Sequence, residues 1–114
     1  MGDTPNQKFT FKHLGQNHDT GSTYFDKNRV IQMEYIDIPN AIHESKHGYD
    51  YWVKGAPLRT IYSEVNAYKL QYVCDPRTMP KSLNGSVSNI SDIKPKWVKG
   101  IVDKNGNLVY KDYE

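Results

Sequence analysis

Between Asp37 and Gly55 the chain spells out both ends of one long helix. Pro39 falls in the opening turn, where its missing N–H costs little, and Asp37 precedes it as an N-cap. Gly55 is a natural stop, because glycine readily takes the left-handed backbone that closes a helix. A second helical stretch follows from near Pro57 to about Val73. Its apolar residues Leu58, Ile61, Val65, Tyr68 and Tyr72 recur at spacings of three and four. Two helices joined by Gly55-Ala56-Pro57 are expected to pack as a hairpin. Any fold for this chain has to be built around that pair.

The flanks supply strands and turns, which makes the class α+β. Phe9-Thr10-Phe11 reads as a short strand, and His13 to Ser22 as a loop rich in Gly, Asn, Asp and Thr. Thr23-Tyr24-Phe25 and the run from Arg29 to Tyr35 flank Asp26-Lys27-Asn28, which predicts an antiparallel hairpin. Asp75-Pro76 ends the second helix, and residues 76 to 92 read as a long loop. The run from Ser91 to Trp97 predicts a short helix ending at Gly100. Asn105-Gly106 marks a tight turn between Ile101-Val102 and Leu108-Val109-Tyr110. Residues 1 to 8 are polar and expected to be disordered. At 114 residues the chain is expected to be a single domain, 1–114, with one modest core.

Several function classes are disfavoured by composition. A net charge of +2, with basic residues scattered among acidic ones, argues against a nucleic-acid partner. No run approaches the roughly twenty apolar residues of a membrane span. The N-terminus lacks the apolar segment of a signal peptide. Cys74 is the single cysteine, so no internal disulfide forms, and a small buried or half-buried residue near a helix end is the reading for it.

The chemistry is concentrated on the first helix. His43-Glu44-Ser45-Lys46-His47 is an H-E-x-x-H segment, whose four-residue spacing brings two imidazoles to one side of a helix. With four His and four Glu in the chain, the pattern arises by chance in roughly half a percent of shuffled sequences. Glu44 stands beside the pair, placed to take a proton from a metal-activated water. Ile38, Ile42, Tyr49, Trp52 and Val53 share one face and are the expected buried stripe. His43 and His47 lie at its edge, roughly 100 to 140 degrees around from Ile42. A catalytic zinc takes three protein ligands, and Glu64 on the second helix is the best candidate for the third. It sits at the flank of the apolar stripe, where a lone carboxylate needs a partner.

From Ile38 to Gln71 the text resembles a zincin metallopeptidase of the gluzincin type, in which H-E-x-x-H is followed by a metal-binding Glu on the next helix. His43-Glu44-Ser45-Lys46-His47-Gly48-Tyr49-Asp50 is similar to the H-E-x-x-H-A-Y-D segment of compact bacterial effector and toxin peptidases. Glu64-Val65-Asn66-Ala67-Tyr68-Lys69-Leu70-Gln71 is similar to their E-x-x-A-Y-x-x-Q helix. The preceding hairpin also fits the zincin order of edge strand and then active-site helix. The resemblance implies a small zincin-like fold, a Zn²⁺ held by His43, His47 and Glu64, and Glu44 as general base. It implies Asp50 as an acceptor behind a ligand imidazole. A protein or peptide is the implied substrate, cut by a monomeric domain of a longer secreted chain and restrained by an inhibitor or immunity protein. Gly48 departs from the Ala usual at its place. The group that stabilises the oxyanion stays open among Tyr49, Tyr62, Tyr68, Tyr110 and Tyr113.

A bland reading exists for each residue. An i, i+4 His pair alone is more often a surface pair, and Asp50 is as readily a surface charge. His13 and His18 lie in a polar loop, Trp52 and Trp97 read as core, and Lys94 and Lys96 as solvated surface. The alternative function is a non-catalytic zincin-like module that binds metal or a partner. Glu44 argues against it, because a structural metal site has no use for a general base.

Overall fold

In the computed structural model, which describes residues 9–15, 21–55 and 59–114, the hairpin expected around Asp26-Lys27-Asn28 is present. Strands β1 (Phe9–His13), β2 (Ser22–Phe25) and β3 (Ile31–Tyr35) make one sheet in the order β1-β3-β2. β2 runs antiparallel to β3, with Thr23 opposite Met33, and β1 runs parallel to it, with Phe11 opposite Met33. Asp26 builds the turn. Its carboxylate accepts from the backbone N–H groups of Asn28 and Val30 and from Gln32 Nε2. The Gln32 bond, then the Val30 bond, hold the Asp26 carboxyl below its ordinary range. The stretch 1–8, His18 and residues 56–58 lie outside the described residues.

The chain falls into two compact units, residues 1–58 and 59–114. In the first, helix α1 (Ile38–Lys54) follows the sheet. Its ends are those the text predicts: the Asp37 side chain accepts from Asn40 N–H, and Gly55 closes the helix at φ 71°. Alternate residues of β3, Ile31 and Met33, are buried with Tyr51 of α1, which stacks on Phe25 at 5.7 Å.

The buried face of α1 is not the expected one. Ile38, Ile42, Tyr49, Trp52 and Val53 are all exposed, from 37% at Ile42 to 66% at Ile38. The buried residues are His43, Glu44, His47, Gly48 and Tyr51. Glu44, Gly48 and Tyr51 form the i, i+4, i+7 row that meets the sheet, and the expected stripe lies away from it, save Trp52, whose ring touches Phe9 of β1 at its flank. Gly48 sets the approach: a Cβ there would lie 2.5 Å from Met33 Sδ. An alanine at this position would require the Met33 side chain to move.

The second unit opens with helix α2 (Ile61–Cys74). It starts later than the expected Pro57, because Thr60 caps it by accepting from Ser63 N–H. Asp75 ends it and then caps a 3₁₀ turn at Pro76–Thr78. A second 3₁₀ turn at Ile90–Asp92 leads into helix α3 (Pro95–Lys99), which Gly100 ends as expected. Ile61, Val65 and Tyr68 of α2 pack with Ile93, Trp97, Val98 and Ile101 as the core. The closing hairpin is reduced to one bridge, Val102 to Leu108, with Asp103 holding the turn through Asn105 and Asn107 N–H. Cys74, expected to be at least half-buried, is an exposed thiol because it lies past the last buried turn of α2. Trp52, read as core, is half exposed, at the edge of the sheet, where its ring packs edge-on against Phe9 at 6.2 Å. Among the described residues no helix is long and apolar enough to cross a membrane.

Candidate metal centre

In the first unit, the helical period converts the H-E-x-x-H spacing into a site. His43 and His47 are buried to 3% and 5% exposure, with Nε2 atoms 3.1 Å apart and ring planes 68° from parallel. Two Zn–N bonds of about 2.0–2.1 Å at a tetrahedral angle place their nitrogens about 3.3 Å apart. The separation in the pair is close to that one ion requires, and is equally that of an N–H···N hydrogen bond between the two rings. Neutral imidazole nitrogens of this kind are ones that zinc takes as ligands.

Glu44, at 4% exposure, is the buried carboxylate between them in sequence. Thr23 of β2 donates its hydroxyl to Glu44 Oε1 at 2.5 Å and also lies 3.2 Å from the Glu44 carbonyl. The edge strand thus holds the side chain that the motif casts as base. Thr23 carries no signal in the text, since its role comes from strand pairing 21 residues away. Asp50, read as an acceptor behind an imidazole, forms an ion pair with Lys46 one turn back, 2.7 Å from Nζ. His13 lies at the end of β1, its Nε2 3.0 Å from the Ile36 carbonyl and its ring stacked on Tyr35. That is a structural role.

In the second unit, Glu64 stands in the first turn of α2, where a negative side chain suits the helix N-terminus, and is buried to 4% exposure. Its carboxylate takes a hydrogen bond from Tyr110, whose hydroxyl lies 2.7 Å from that of Tyr68. Burial first, then the nearby Tyr68 and the Glu64 charge, push the Tyr110 phenol well above its ordinary range. Of the five tyrosines the text leaves open, Tyr49 and Tyr62 are exposed, at 55% and 71%. Tyr68 and Tyr110 cluster at Glu64, and the Tyr113 ring packs edge-on against Tyr110 at 4.9 Å.

The donor chemistry fits zinc, with two imidazole nitrogens and a carboxylate, each buried. Compared with protein-family models, with curated proteins and with solved structures, the chain matches none.

Proposed function

We propose that this protein is a zinc-dependent peptidase in which His43, His47 and Glu64 hold one Zn²⁺ and Glu44 is the general base. The observation that carries the reading is the His43–His47 pair: two buried imidazoles with Nε2 atoms 3.1 Å apart, beside a buried, hydrogen-bonded carboxylate. A bound zinc supplies Lewis acidity, polarising a carbonyl and making water a competent nucleophile near neutral pH. Glu44 takes the proton of the attacking water and passes it to the leaving amine, which moves one proton between fixed points. Thr23 keeps the Glu44 carboxylate in one orientation through that transfer. A peptide or protein is the substrate class. The reading also covers a domain of a longer secreted chain, restrained by an inhibitor or immunity protein.

A second reading, a zincin-like interaction module without catalysis, is favoured by the exposed apolar row of α1: Ile38, Ile42, Tyr49, Trp52 and Val53. One experiment separates the two. Zinc content of the purified protein is expected at about one ion per chain, falling to background in His43→Ala and His47→Ala. The zinc-loaded protein is then offered a broad peptide library, with cleavage read by mass spectrometry. Glu44→Gln is expected to keep its zinc and lose roughly 10²- to 10⁴-fold in rate. Equal zinc in wild type and both histidine variants sinks the metal site. Equal cleavage by wild type and Glu44→Gln sinks the peptidase and leaves the module.

A further inference from the structure

The second unit holds a polar chain that the peptidase reading does not use. Tyr68, Tyr110 and Glu64 follow one another through their side-chain oxygens, beside the apolar core of that unit. An ionised carboxylate only accepts hydrogen bonds, so the Tyr110 hydroxyl is the donor toward Glu64. Its single proton is then committed. The 2.7 Å bond between the two phenols is therefore made by the Tyr68 hydroxyl donating to the Tyr110 oxygen. With Glu64 as a carboxylate, the order of donation runs Tyr68 to Tyr110 to Glu64.

We infer that Tyr110 is a positioning residue for the metal-binding carboxylate, orienting Glu64 through this hydrogen bond, with Tyr68 fixing Tyr110 in turn. The inference rests on the zinc reading, since it names what holds the third ligand. A donor behind a ligand carboxylate fixes which way its oxygens face, and losing such a partner typically weakens metal binding. The ring packs edge-on to Tyr68 at 6.3 Å and to Tyr113 at 4.9 Å, so a phenylalanine keeps its place while losing the hydroxyl.

The test is zinc affinity, measured by competition with a chromophoric chelator, alongside the thermal midpoint of the metal-free protein. Tyr110→Phe is expected to bind zinc about 10- to 100-fold more weakly than wild type. Tyr68→Phe is expected to show a smaller loss in the same direction, and it carries the test should Tyr110→Phe not fold. The decisive comparison uses Glu64→Ala as background, where adding Tyr110→Phe is expected to change zinc affinity no further. A merely structural tyrosine would weaken binding equally in both backgrounds, and that result overturns the inference. Wild-type affinity in both tyrosine variants overturns it too, while leaving the zinc site standing. A wild type that binds no zinc removes the site itself, which is a distinct result.

Discussion

Glu44 and Glu64 are carboxylates buried to the same depth, at 4% exposure, yet their surroundings differ. Glu44 is held by a neutral hydroxyl from a strand, Thr23, and Glu64 by a phenol backed by a second phenol. Zinc affinity should tell them apart. Glu64→Ala is expected to weaken zinc binding by more than the about 10–100-fold typical of losing a ligand's hydrogen-bond partner. Glu44→Gln, which keeps shape and gives up the proton site, is expected to leave affinity within a few-fold of wild type. Titration of both variants with zinc checks this, and the reverse order of losses would exchange their roles. The text shows these carboxylates because local spacing turns directly into geometry on a helix. Thr23 is silent there, and Tyr110 is singled out only among five tyrosines and for a different role. Each reaches its partner through folding over tens of residues, Thr23 across 21 to Glu44 and Tyr110 across 42 to Tyr68.

At the scale of the element, α1 shows where the reading of a sequence stops. Its ends are written locally, in Asp37, Pro39 and Gly55, and the structure has them there. Its buried face is not local information. Counting apolar residues assumes that polar ones face water, and on α1 the inward row carries Glu44 and Gly48 with a single aromatic, Tyr51. The α2 face was legible for the converse reason: Ile61, Val65 and Tyr68 are both apolar and buried. Gly48 tests the packing. Alanine gains about 1 kcal/mol of helix propensity over glycine, while overfilling a packed site costs about 1–3 kcal/mol. Met33, 2% exposed, has little space to yield, so Gly48→Ala is expected to destabilise by about 1 kcal/mol net. In a Met33→Ala background the space opens and the same substitution is expected to stabilise by about 1 kcal/mol. Urea unfolding of the four proteins gives the cycle. The same sign in both backgrounds would show that Met33 does not limit the helix.

Across the whole chain, the groups with shifted ionisation set the pH range in which each unit is stable. Asp26 in the first unit, and Asp75 and Asp92 in the second, lie below the ordinary aspartate value of 3.8. Gln32 and the Val30 N–H lower Asp26, the Arg77 side chain lowers Asp75, and the Ser88 and Asn89 N–H groups lower Asp92. A carboxylate lowered on folding contributes stability above its unfolded pKa, and that contribution is lost as pH falls through the folded value. Both units should therefore weaken below about pH 4. Tyr110 works at the other end and in the second unit alone. Its folded pKa lies above the ordinary 10.0, so its contribution is full below about pH 10 and is lost as pH rises further. Each unit has its own reporter, Trp52 in the first and Trp97 in the second. Urea midpoints of the metal-free protein, read from Trp52→Phe and Trp97→Phe variants between pH 2.5 and 11, follow the units separately. The acid limb is expected in both and should shrink in the first when Asp26 becomes Asn. The Tyr110 alkaline limb is expected in the Trp97 signal and should be lost with Tyr110→Phe. A second unit that keeps the same alkaline limb without the Tyr110 hydroxyl would show that another group carries it, and that this phenol is not held neutral by its surroundings.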